Sequence, residues 1–156
     1  LDLVSNIRSV IPDIAISTDI IVGFPTETYD EFMDTYDVCE QVQFDSAFIF
    51  KYSERPNTRA AMKFPDDVSE ADKKSRIIQL NRLQDAINLK RNHQLVGTTQ
   101  RILIEELTTK KSANDAQGRT DCNRIVIVPK DGLILGEMVD VCVTDATRNV
   151  LKGRLA

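Results

Sequence analysis

"TDIIVGFPTET" (residues 18–28) decides how this 156-residue chain is read. The apolar run Ile20-Ile21-Val22 stops at Gly23-Phe24-Pro25 and gives way to threonines and acids. So continuous a run of branched residues is expected of a parallel strand covered on both faces. Its end reads as a strand-to-helix corner. Gly23 frees the backbone, Pro25 fixes φ, and Thr28 with Glu31 three residues on has the form of a capping box. Such a corner also leaves backbone exposed at the end of a sheet, where α/β proteins bind ligands.

Upstream, Leu3, Val4, Ile7, Val10 and Ile11 stand at helical spacing, and Pro12-Asp13 stops that helix. Downstream, Tyr29, Phe32, Met33, Tyr36, Cys39 and Val42 form the stripe of a second helix, followed by the β-prone "SAFIFKY" (residues 46–52). Helix, strand, helix, strand is the repeat of a parallel α/β sheet. Residues 53–67 hold two prolines, many charges and no period, and read as a loop. Ser69, with Asp72 in the box position, opens a helix whose buried stripe is Ile77, Leu80, Leu83 and Ile87. At some 25 residues it would span roughly 35–40 Å before Gly97 ends it.

After Gly97 the character changes. "TTQRILIEEL", "GRTDCNRIVIV", "GEMVDVCVTDA" and "NVLKGRLA" are short β-prone runs separated by turn residues. Val139, Val141 and Val143 alternate with Asp140, Cys142 and Thr144. About 60 such residues suggest a small closed, OB-like β-barrel, which removes exposed strand edges. The expected organisation is an α/β part at 1–67, a bridging helix at 68–96 and a barrel at 97–156.

Net charge is −4, unevenly spread. Residues 1–96 carry 11 Lys and Arg against 16 Asp and Glu; residues 97–156 carry 9 against 8. The less acidic barrel is the part suited to approach a polyanion. It has no Phe, Tyr or Trp, so any nucleic acid it met would be held by backbone or shape recognition rather than base stacking. No apolar run approaches the roughly 20 residues needed to cross a bilayer. There is no initiator methionine or signal peptide, and "LDLVSNIRSVIP" reads as the end of a helix from a longer chain. Cys39, Cys122 and Cys142 are odd in number and far apart, without metal-knuckle or disulfide spacing. They read as buried free thiols of a reducing cytoplasm. His93 is the only histidine, which excludes a paired-histidine site.

"STDIIVGFPTET", "FKYSERPNTRAA" and "GRTDCNRIVIV", in that order, resemble the methylthiotransferase branch of the radical SAM enzymes, specifically its bacterial tRNA-modifying members. Residues 1 to about 67 resemble the last helices and strands of the radical SAM partial barrel, and 97–156 the TRAM domain, an RNA-binding β-barrel. The resemblance implies addition of a methylthio group to isopentenylated adenosine beside the tRNA anticodon. It also implies S-adenosylmethionine as methyl donor and radical source, and two [4Fe–4S] clusters whose ligands are not in this chain. No catalytic or metal-ligating residue is therefore expected here, and the sulfur donor stays unassigned.

The same resemblance implies a cofactor wall of Ile21, Gly23, Phe50, Lys51 and Tyr52. Ile21 and Gly23 match a Gly-x-Ile-x-Gly pattern whose first glycine is Asp19 here. Gly23 would let backbone approach the ligand, Ile21 would meet a purine, and Tyr52 could stack on a ring. Ser53 and Arg55 are implied toward substrate, with Arg55 alternatively pairing Glu54 or Glu27. For RNA the candidates are Lys110, Lys111, Arg119, Asn123 and Arg124, with the alternative that Arg119 and Asn123 only organise a hairpin. The family writes Gly where Thr26 and Asn57 stand; Asn tolerates a left-handed backbone, and β-branched Thr does not. Competing readings are a methylthiotransferase for threonylcarbamoyl-adenosine or a ribosomal-protein aspartate, and a non-catalytic RNA-binding fragment.

Overall fold

The computed structural model describes residues 1–156 as two units, Leu1–Ile87 and Asn88–Ala156. The first unit holds helix α1 (Asp2–Val10), strand β1 (Ser17–Val22), α2 (Tyr29–Val42), β2 (Ser46–Lys51), α3 (Arg59–Lys63) and most of α4 (Glu70–His93). β1 and β2 are parallel, in register from Ser17 opposite Ser46 to Val22 opposite Lys51. Ile20, Val22 and Ile49 face the core, packed with Phe32, Cys39 and Val42 of α2, Phe44, and Leu80 of α4.

The predicted capping box is present. Thr28 Oγ1 accepts the Glu31 N–H at 3.2 Å and the Glu31 carboxylate accepts the Thr28 N–H at 2.8 Å. At the other end of α2, Arg8 donates to the Val42 carbonyl at 2.6 Å, satisfying an acceptor that the helix itself cannot.

Three expectations need correction. The first strand is covered on one face only. Side chains alternate along a strand, so Ile21, Phe48 and Phe50 point away from the helices and stay 56%, 58% and 55% exposed. The 53–67 stretch contains α3, a single turn capped by Thr58, whose hydroxyl accepts the Ala61 N–H at 3.3 Å. Of the cysteines, only Cys39 is buried, where desolvation pushes its thiol pKa up; Cys142 is half-buried and Cys122 sits exposed in a turn. In α1, Val4 packs on the core while Leu3 and Val10 face outward.

The second unit is a closed barrel of β3 (Thr99–Glu106), β4 (Asp115–Thr120), β5 (Ile125–Pro129), β6 (Met138–Ala146) and β7 (Leu151–Leu155), in the order β3-β4-β5-β7-β6. All pairs are antiparallel except β5 with β7. Ile102, Ile104, Ala116, Val126, Val128, Val141, Val143 and Leu151 fill the interior. "GRTDCNRIVIV" proves to be a hairpin: β4 and β5 meet at a turn where Asn123 takes φ 61° and donates its N–H to the Thr120 carbonyl at 2.8 Å. No helix of either unit is long and apolar enough to cross a membrane.

The last residues of α4 belong to the barrel unit. Asn92 is 4% exposed; its amide donates to the Thr147 and Arg148 carbonyls at 2.7 and 3.3 Å, and its carbonyl accepts from Arg124 Nη1. Leu95 packs on the barrel core. A fragment starting at Asn88 is therefore expected to exceed one starting at Val96 in stability by about 1–3 kcal/mol, the cost of leaving buried partners unsatisfied. Urea unfolding of the two fragments measures the difference. In the first unit Thr26 sits at φ 74°. Thr26→Gly should raise stability by about 1 kcal/mol, strain relief outweighing glycine's chain entropy; an unchanged or lower urea midpoint contradicts this.

Candidate ligand pocket and nucleic-acid surface

The C-terminal ends of β1 and β2 open into a pocket of about 490 Å³. Ile21 and Phe50 are register partners and share its floor; Phe24, Lys51, Tyr52, Ser53, Arg55, Thr58 and Ala60 complete it. Six of the residues expected to touch cofactor or substrate thus converge: Ile21, Phe50, Lys51, Tyr52, Ser53 and Arg55. Their apolar contact area comes from Ile21 and Phe50, joined by Phe24, which is 42% exposed and was not singled out in the sequence.

Gly23 does not join them. It is buried at φ 70°, and a Cβ there would stand 2.3 Å from Cγ of Lys73. Glycine is required at this position by a left-handed backbone and by a lysine stem lying against it. Tyr52 also departs from expectation. The residue is only 9% exposed, its ring packed edge-on to Phe24 at 5.2 Å, with Lys73 Nζ 5.6 Å from the ring centre. It supports the pocket wall and offers little free ring face for stacking.

Lys51 pairs with Glu70 at 2.6 Å, and that hydrogen bond and charge hold the Glu70 carboxyl below its usual range. Arg55 is exposed at the rim, and Glu27, one of its suggested partners, is engaged by Arg76. Thr26 and Asn57 both take positive φ, 74° and 67°, the left-handed region that glycine enters most easily.

Sequence reading missed Lys73 and Arg76, which are 1% and 6% exposed. The signal was there: 73, 76, 80, 84 and 87 continue one helical stripe, and all five are buried. Polar residues on that stripe were passed over because apolar type was the criterion. Burial pulls the Lys73 pKa down, but Asp66 and then Glu70 outweigh it, so the ammonium is stabilised overall.

On the barrel, three of the five RNA candidates have partners within the fold. Arg119 donates to Glu105 at 2.9 Å and to the Asn123 side chain at 2.9 Å. Asn123 forms the left-handed turn, and Arg124 binds Asn92. Lys110 and Lys111 are exposed on the loop between β3 and β4. No three His, Cys, Asp or Glu side chains come together in a group that could hold a metal ion.

Residues 93–156 match the TRAM domain model. Over 155 residues, 99% of the chain, it is 40% identical to the tRNA-2-methylthio-N(6)-dimethylallyladenosine synthase of Thermoanaerobacter sp., covering 32% of that protein. It is 42% identical to the enzyme of the same name from Porphyromonas gingivalis, covering 99% of the chain and 33% of the relative. Against that of Legionella pneumophila it is 43% identical, covering 97% and 34%. The chain spans about a third of the length of the curated relatives it matches. Identity at this level runs along the whole chain, and the TRAM match falls on the barrel: the chain is a homologue of these tRNA-2-methylthio-N(6)-dimethylallyladenosine synthases over about a third of their length.

Proposed function

We propose that this chain forms part of a radical SAM methylthiotransferase acting on isopentenylated adenosine beside the tRNA anticodon, in the cytoplasm. On this reading the β1–β2 pocket is part of the wall for S-adenosylmethionine and the target base, and the barrel grips tRNA. The observation that carries it is the convergence of Ile21, Phe50, Lys51, Tyr52, Ser53 and Arg55 on one pocket in a chain whose relatives are named for this reaction. The three dimethylallyladenosine names favour isopentenylated adenosine over the sister substrates.

The pocket fits the adenosyl part of the cofactor. Ile21, Phe24 and Phe50 present an apolar surface to a purine, and the exposed Arg55 suits a carboxylate or phosphate at the rim. When bound, S-adenosylmethionine supplies the methyl group and the radical; this chain binds, orients and excludes water. The two [4Fe–4S] clusters of the proposed enzyme draw no ligands from these residues. With no aromatic ring after residue 97, the barrel holds RNA through backbone contacts, which position without reading sequence.

The pocket reading is tested by titrating the ¹⁵N-labelled chain with S-adenosylhomocysteine. Amide shifts should be confined to Ile21, Phe50, Lys51 and their neighbours, and Phe50→Ala should weaken binding about tenfold through lost apolar area. Shifts elsewhere, or none, would remove it.

The RNA reading is tested by tRNA affinity against salt. Each phosphate contact adds about 0.7–0.9 to the log–log slope, so Lys110→Ala with Lys111→Ala should flatten it by about 1.5. Arg119→Ala with Arg124→Ala should leave the slope alone and lower the urea midpoint. The reverse pattern would return the arginines to the RNA surface.

A further inference from the structure

Lys73 and Arg76 stand one turn apart on α4, nearly sealed from water. Arg76 donates through Nη1 to the Glu27 carboxylate and, at 3.1 Å, to the Glu27 carbonyl. The same carboxylate oxygen accepts the Gly23 N–H at 2.5 Å, so one guanidinium ties both ends of the 23–27 loop to the helix. Lys73 donates to both Asp66 oxygens at 2.6 Å while its stem lies against Gly23 and its ammonium faces the Tyr52 ring. The next residue, Asp67, accepts the Thr26 N–H at 2.7 Å. Tyr52 is tied in turn to the end of β1, its N–H donating to the Val22 carbonyl at 2.8 Å.

A buried ion pair is a poor device for stability alone. Desolvation takes back most of the Coulomb attraction, and apolar side chains of the same volume often serve as well or better. α4 carries such side chains at Leu80 and Ile87 on the same stripe. What an apolar side chain cannot do is hold Gly23 at φ 70° and Thr26 at φ 74°, two left-handed residues three positions apart in one short loop. A conformation of that kind persists only where its surroundings over-determine it. The planar guanidinium directs its donors along fixed lines, which suits it to this task better than a lysine would be.

We propose that Lys73 and Arg76 are positioning residues for the β1–β2 pocket. They hold the 23–27 loop and the 65–67 segment so that Ile21, Phe24 and Tyr52 form one preorganised wall. Only the identity of the ligand in this proposal rests on the adenosyl reading above; the positioning itself is a property of the loop.

The test is a charge-neutral exchange, Glu27→Gln with Arg76→Met, which strands no buried charge and keeps an acceptor for the Gly23 N–H. Asp66→Asn with Lys73→Met is the second variant, should the first fail to fold. In the ¹⁵N-labelled chain, the urea midpoint should stay near the parent value. Hydrogen exchange at Gly23, Thr26 and Tyr52 should speed up at least tenfold, and S-adenosylhomocysteine should bind at least tenfold more weakly. Arg76→Lys should fall between parent and double variant in both readings. Parent-like exchange at these amides would overturn the proposal, and so would a uniform rise at all amides with a lowered midpoint, which marks a purely stabilising pair. If the parent shows no shifts with S-adenosylhomocysteine, the adenosyl reading fails, and the exchange data still decide whether the cations position the loop.

Discussion

The corner at Gly23 is the constraint around which the first unit is built. The backbone must leave β1 and reverse toward α2 within the few residues between Val22 and Thr28, and it does so through two left-handed residues, Gly23 and Thr26. Left-handed backbone is tolerable at a glycine and strained at a threonine, so the turn needs outside support. α4 supplies it with Lys73 and Arg76, and the acids that neutralise them, Glu27 and Asp66, come from the loops being held. Burial, charge and loop shape are therefore one problem here. Removing one member alone leaves an uncompensated charge in the interior, which costs far more than the pair contributes.

From that corner follows the character of the pocket. The β1–β2 ladder places Ile21 beside Phe50 by register, and the corner brings Phe24 over them. Exposed apolar side chains gathered in a concavity are the usual makeup of a ligand site, while scattered ones are ordinary surface. Tyr52 illustrates the division of labour: its ring is spent on packing against Phe24 and Lys73, and the open surface of the pocket is left to its neighbours.

The barrel solves a different problem with the same means. Five short strands close on themselves, so no edge is left unpaired, and alternate side chains fill a small interior. Arg119 and Arg124, which look like RNA contacts in a linear reading, are used to fasten the β4–β5 turn and the end of α4. A cation's neighbours decide whether it can serve a polyanion. Lys110 and Lys111 lie on an exposed loop, and on the proposed reading phosphate contact falls to them.

The sequence by itself determined the elements whose evidence is local. The Thr28–Glu31 box, the stripe of α2 and the alternation at Val141 and Val143 all depend on residues within a few positions of one another. Resemblance, resting on three ordered motifs, brought out most of the pocket residues as well. Tertiary structure alone decided the rest. Whether β1 is covered on one face or two depends on where distant helices pack. Whether Gly23 faces a ligand or Lys73 depends on a side chain fifty positions away, and whether Arg124 meets solvent or Asn92 depends on the end of another element. Each is a question of long-range contact between groups far apart in the chain, and no local period carries that information.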